Sequence, residues 1–165
     1  MKIALVGSKG HGKDYVANIL SKEYNLLKFA FADNIKLKTK EIYPFSECYD
    51  THELKDAVIK DYNSSFRDLI FEVSKWYGEY HFFNENKAIL EDKDNIIITD
   101  VRNKREYLYL EEKGYVIVYI ERLDYPKFIG YDERIKEFYK DIQIRYINDF
   151  SKSNEEILKD FKEIL

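Results

Sequence analysis

The chain has 165 residues, enough for one domain with a sizeable core; 45% are hydrophobic and only two are proline, which excludes a disordered chain. Its 27 lysines and arginines stand against 31 aspartates and glutamates, a net charge of −4, so no nucleic-acid partner is expected. Cys48 is the single cysteine, so no internal disulfide forms, and a semi-buried apolar role in a cytoplasmic protein is expected; no apolar run approaches the roughly 18 residues of a membrane span and the first residues enter a strand at once, so neither a membrane partner nor a signal peptide is expected.

Residues 2–6 read as a buried strand around Ile3-Ala4-Leu5-Val6. The loop Gly7-Ser8-Lys9-Gly10-His11-Gly12-Lys13-Asp14 follows, and a helix over 12–23 carries Val16, Ile19 and Leu20. Leu26 to Ala32 is a second apolar run, after which Asp33-Asn34 forms a turn or helix cap. A modest helical pattern over 35–43 (Ile35, Leu37, Ile42) breaks at Pro44 and Ser46. Asp50-Thr51-His52-Glu53 resembles a capping box ahead of Leu54, Ala57 and Val58. Ser65-x-x-Asp68 opens a clearer helix, with Phe66, Leu69, Ile70 and Val73 on one face, ending near Gly78. Residues 79–94 show no clear period.

Asn95 to Asp100 is a third buried strand that ends in a carboxylate. Residues 103–113 read as a helix stopped by Gly114, and Tyr115 to Ile120 as a fourth strand. Ile142 to Ile147 is a shorter fifth. Ser153-x-x-Glu156 caps a last helix whose Ile157, Leu158, Phe161, Ile164 and Leu165 form one stripe. Buried strands alternating with helices predict a three-layer α/β/α domain over 1–165 with a parallel sheet of about five strands. Ligands of such sheets bind beyond the carboxyl ends of the strands, which places loop 7–14, Asp33, Asp100 and the segment after Ile120 on one rim.

Strand, glycine-rich loop, lysine and helix form a phosphate cradle: the glycines let successive N–H groups point inward, the helix presents its positive end, and Lys13 adds a full charge. Asp14 stands where the usual G-x-x-x-x-G-K-[ST] pattern has a hydroxyl for magnesium. Asp100 occupies the place of the acid that holds magnesium directly or through water, or else caps the next helix. Arg102 offers a fork of donors for phosphate or a base edge, with Glu106 holding it or reading the base; an ordinary surface pair is the other reading. Lys36 and Arg67 are placed for a second anion site, or serve as a solvated charge and a packed side chain. Residues 121–141 contain Arg122, Gly130, Arg134 and Lys136 and suit a flap that brings an arginine to the phosphates, or a plain charged helix over 132–140. Trp76 and its aromatic neighbours stack on a base or pack in the core. His11, His52 and His81 lack metal-ligand spacing, and the His11 side chain is expected to face outward.

These segments together resemble the bacteriophage-type deoxynucleoside monophosphate kinases. G-S-K-G-H-G-K-D is similar to their phosphate loop, although Tyr15 stands where family loops continue with threonine. Phe31 to Lys36 resembles their A-x-x-[LI]-K segment, and Phe66-Arg67-Asp68-Leu69-Ile70 with Gly78-Glu79 their R-x-L…G-[TE] helix. Asp100 to Glu106 looks like D-x-R-x-x-x-E, and Tyr146-Ile147-Asn148-Asp149 with Ser153-x-Glu155-Glu156 resembles their closing segment. Animal-type phosphomevalonate kinases carry a similar G-K-D loop.

The resemblance implies ATP-dependent, magnesium-assisted phosphoryl transfer to a (deoxy)nucleoside 5′-monophosphate, with an acceptor-binding helical insert over about 34–80 and a lid-like segment over about 122–141. Lys9, Gly10, His11, Gly12, Lys13, Asp14, Tyr15 and Asn148 are expected to bind ATP. Asp33, Lys36, Arg67, Trp76, Arg102 and Glu106 are expected to hold the acceptor, and Asp14 and Asp100 to manage Mg2+. Lys13, Arg102 and Arg134 are expected to act on the transferring group. Small nucleotides are the expected partners, with a homodimer among the assembly states left open. A kinase of another phosphorylated acceptor such as phosphomevalonate, and a nucleotide-gated binding protein with little turnover, are the competing readings.

Overall fold

The computed structural model describes residues 1–51, 53–78, 80–128 and 130–165, which divide into two compact units: Met1–Ala30 with Lys93–Leu165, and Phe31–Asp92.

The first unit is built on a strand with no polar residue after its first. β1 (Lys2–Val6) is buried from Ile3 onward because it has a strand on each side and helices over the sheet. α1 (Lys13–Tyr24) and β2 (Leu27–Phe29) follow it. From the later half of the chain come β5 (Ile96–Val101), α5 (Lys104–Glu112), β6 (Val116–Glu121), β7 (Ile144–Ile147) and α6 (Asn154–Ile164). The sheet order is β2-β5-β1-β6-β7 and every pairing is parallel, so all five strands present their carboxyl ends at one edge. The register sets Val6 beside both Val101 and Tyr119, and Glu121 beside Ile147. The segments leaving β1, β5, β6 and β7 therefore start level with one another.

Strand alternation divides the apolar side chains between the two faces. Ile3, Leu5, Ile97, Val118 and Ile120 pack with Val16 and Leu20 of α1 and Ile157 and Phe161 of α6. α5 runs beside β6, and its Tyr107 stacks on Phe138 with ring centres 5.2 Å apart. The ends of these helices are set locally. Ser153 and Glu156 form the predicted capping box of α6, Asn103 and Glu106 form one at α5, and Gly114 ends the α5 segment at φ 72°.

The second unit holds α2 (Ala32–Ile42), a 3₁₀ segment (Pro44–Tyr49), the antiparallel pair β3 (Val58–Ile59) and β4 (Ser64–Ser65), α3 (Phe66–Tyr77) and α4 (His81–Leu90). The Ser65–Asp68 capping box opens α3 as predicted, and the helix stops at Gly78. Ile35, Val73 and Phe82 make one cluster, and Ile59, Phe66 and Leu69 another. Four sequence expectations are corrected here. Asp33 and Asn34 lie inside the first turn of α2 rather than capping it. No helix forms over the described part of 53–58: Leu54 and Val58 remain exposed, so an amphipathic face there would have nothing to pack on. The proposed cap there includes His52, outside the described residues, as does Glu79 of the Gly78-Glu79 match. α4 occupies the stretch with no visible period, because its inward positions include the polar Asn86. Cys48 is exposed rather than semi-buried. Among the described residues no helix is long and apolar enough to cross a membrane.

Candidate phosphate-binding site

The chain leaves β1 through Gly7, where it passes close to the neighbouring strand. A Cβ on Gly7 would lie 2.5 Å from the backbone oxygen of Ile120, so no larger residue fits. The turn into α1 uses Gly12 at φ 85°, a left-handed conformation, with no side chain capping the helix. The first-turn amides of α1 are thereby left for a ligand, as in a phosphate loop. Lys13, the first residue of α1, folds back along this loop. It is only 7% exposed, and its Nζ donates to the carbonyl oxygens of Gly7 at 2.6 Å and Ser8 at 2.9 Å. Burial and the nearby Arg102 guanidinium lower its pKa to about 8, while the charges of Asp132, Asp14 and Asp100 pull the other way. Lys13 is therefore a buried charge held along the loop rather than one in solvent.

His11 does not face outward. It is fully buried, with Nδ1 3.2 Å from the Ile120 carbonyl oxygen and Nε2 3.3 Å from that of Pro126. It ties the loop to the segment after β6, and a neutral ring donates to one of those two carbonyls at a time. Asn148, just past β7, is also buried and donates from Nδ2 to the His11 carbonyl oxygen at 3.0 Å. Both residues are supports of the loop's shape.

Arg102 leaves the end of β5 and reaches Asp132, with Nη1 to Oδ1 at 2.8 Å. The other Asp132 oxygen accepts from the backbone N–H of Lys9 at 2.6 Å. Glu106 does not pair with the Arg102 guanidinium. Its carboxylate caps α5 by accepting from the backbone N–H groups of Arg102 and Asn103 and from the Asn103 side-chain amide. Burial first, and the charge of Asp100 second, push its pKa up to about 7. The surface-pair reading of Arg102 and Glu106 is corrected accordingly. Asp100 is half-buried near the end of β5, and Asp14 is exposed in the first turn of α1. Tyr15 sends its hydroxyl to Asn154 Oδ1 at 3.0 Å and sets its ring against Phe150. Arg134 is exposed in the 3₁₀ segment Gly130–Glu137, and no plain α-helix forms over 132–140.

The remaining predicted side chains belong to the second unit. Lys36 lies 3.6 Å from Asp33 and 4.0 Å from Asp50, and Lys40 and Lys55 converge on the same Asp50 carboxylate at 3.0 and 3.7 Å. Arg67 pairs with Asp56. Trp76 is exposed on α3, its ring centre 6.2 Å from that of Tyr43.

Two features went unread in the sequence. Asp132 sits among the loop's donors, and no spacing singles it out. The Arg122 guanidinium lies 5.3 Å from the Tyr125 ring centre and 4.9 Å from that of Phe150, a cation–aromatic cluster beside the loop.

No protein-family model matches the chain, and no curated protein matches it in sequence. Among solved structures it is similar to the crystal structure of shikimate kinase from Aquifex aeolicus VF5, with a TM-score of 0.50 and 20% identity. The match covers 99% of this chain and 94% of that one. The likeness shows the fold: a three-layer α/β/α architecture around a parallel five-stranded sheet.

Proposed function

We propose that the protein transfers the γ-phosphoryl group of ATP to a (deoxy)nucleoside 5′-monophosphate, giving ADP and the nucleoside diphosphate. The observation that carries this reading is Lys13, buried at the uncapped start of α1 and folded along a glycine loop. An ammonium group lined up with free amides at a helix N-terminus suits a polyphosphate and little else. The shared kinase-like fold supports a phosphotransferase, and the sequence resemblance of the segments from Phe31 to Asp149 to deoxynucleoside monophosphate kinases is what favours a nucleotide acceptor.

The attacking oxygen of a monophosphate is already anionic, so no general base is needed. It forms a bond to the γ-phosphorus as the bond from that phosphorus to the β-bridging oxygen breaks. The chain's task is to align the two anions and neutralise their charge. Loop amides and Lys13 hold the donor phosphates, and Arg102, at the end of β5, meets the transferring group. In this proposal Lys36, Arg67 and Trp76 recognise the acceptor, and Arg134 comes from the lid. Asp14 and Asp100 both act electrostatically on Lys13, and their carboxylates are the hard oxygen donors that would hold a magnesium ion. When bound, that ion would supply further charge neutralisation.

The test is ATP consumption with a panel of nucleoside monophosphates, phosphomevalonate and shikimate, using wild type and Lys13→Ala. Turnover confined to nucleoside monophosphates and lost in the folded variant is expected. Turnover with another acceptor alone would reassign the substrate, and an active Lys13→Ala protein would overturn the mechanism.

A further inference from the structure

Asp132 is a carboxylate in the wrong place for an acid. It lies in the segment Gly130–Glu137 and is only 2% exposed. One oxygen accepts from the backbone N–H of loop residue Lys9 at 2.6 Å, and the other from Arg102 Nη1 at 2.8 Å. Its charge also acts on Lys13. A loop amide and a guanidinium are donors that a phosphoryl group would recruit, and here a carboxylate of the same protein holds both, with the Lys13 ammonium close enough to feel its charge.

The segment that carries Asp132 is fastened on both sides. Before it, Phe128 donates its backbone N–H to Ser8 Oγ at 3.0 Å, and the Pro126 carbonyl meets the His11 ring. On the other side of Asp132, Ile135 and Phe138 are buried, Phe138 against Tyr107 of α5. The carboxylate is therefore held at the loop by packing as well as by charge.

We propose that Asp132 is an internal anion that occupies part of the phosphate site, so that a polyphosphate enters by exchange with it. This inference rests on the reading of the 7–13 loop as a phosphate site. The single Lys9 N–H cannot serve two anions at hydrogen-bond distance, and a phosphoryl group at that amide would lie against the buried Asp132 carboxylate, where like charges repel strongly. Binding of a polyphosphate expels the carboxylate and frees the stretch around residue 132 from the loop; loss of the polyphosphate lets it return. The device lowers apparent affinity, keeps the loop's donors satisfied between ligands, and couples occupancy to the position of the Gly130–Glu137 segment.

The experiment is calorimetric titration of the full chain with pyrophosphate and with ATP, for wild type, Asp132→Asn and Lys13→Ala. Asp132→Asn keeps the size of the side chain and removes its charge. It should bind both ligands about tenfold tighter or more, the factor expected for one charge-assisted bond that no longer has to be broken. Binding that is lost in Lys13→Ala but unchanged or weaker in Asp132→Asn would overturn the exchange and leave the phosphate site standing. Wild type that binds neither ligand would remove the phosphate site itself. Should Asp132→Asn fail to fold, hydrogen exchange on wild type decides. Amides of residues 130–137 should lose protection when pyrophosphate is added, and a gain of protection there would overturn the proposal.

Discussion

Asn148 Nδ2 donates to the carbonyl oxygen of His11 at 3.0 Å, joining the end of β7 to the middle of the glycine-rich loop 7–14. The same amide lies where a Gly12 side chain would be: a Cβ there would meet Asn148 Nδ2 at 2.1 Å and the Phe150 ring at 2.7 Å. Loop shape and strand end are thus parts of one contact.

Gly12→Ala is expected to cost roughly 2–4 kcal/mol of folding stability, from the clash and from forcing a left-handed alanine, and to abolish ATP binding. Asn148→Ala should cost roughly 1–2 kcal/mol through the lost bond to a buried carbonyl. The double variant should be more stable than the sum of the two losses implies, because the second change makes room for the first. Urea unfolding of all four proteins measures this. Strict additivity would show that the two residues do not share the contact.

Lys13 predicts a pH dependence of stability. Its pKa is about 8 in the folded protein, against an ordinary value of 10.5, chiefly because the ammonium is buried. Below pH 8 the folded state carries a charge it disfavours, at a cost of about 3 kcal/mol. Between pH 8 and 10.5 the unfolded chain binds more protons than the folded one, so this contribution to stability rises with pH. Lys13→Met should therefore be more stable than wild type at pH 7, by up to about 3 kcal/mol less the value of the two lost carbonyl bonds. That advantage should shrink toward pH 10. Thermal or urea unfolding at pH 7 and 9.5 checks it, and an advantage that stays the same at both values would contradict the burial argument.

Glu106 acts in a different window. Its carboxyl stays protonated up to about pH 7 in the folded protein, through burial and the nearby Asp100, although three N–H donors favour the charged form. A raised carboxyl pKa contributes stability below its unfolded value of 4.5, and that contribution is lost as pH rises through 7. The whole effect is about 3 kcal/mol. Glu106→Gln cannot ionise, so relative to wild type it should gain stability between pH 5 and 8. Denaturant midpoints at those two pH values decide, and an unchanged difference between the proteins would rule the effect out.

The legible parts of the fold were those with local causes. β1, its loop and α1 follow from an apolar run, three glycines and a helical repeat within two dozen residues. The α3 and α6 starts follow from capping boxes that close within four residues. α4 was hidden because Asn86 takes an inward position. Its amide donates to the Phe31 carbonyl oxygen and accepts from Asn34, partners more than fifty residues earlier in the chain. His11 was misjudged for the same reason: a polar ring inside a loop reads as exposed until the carbonyls of Ile120 and Pro126 are brought to it.

By itself the sequence determined the alternation of strands and helices and a glycine-rich loop that leads into α1 at Lys13, because hydrophobic period and glycine sterics act between near neighbours. Only the tertiary structure decided which charges meet. Arg102 pairs with Asp132, thirty residues away, and not with Glu106, one helical turn on. Coulomb attraction and hydrogen bonding depend on distance in space, and the parallel sheet sets that distance by aligning the carboxyl ends of β1, β5, β6 and β7.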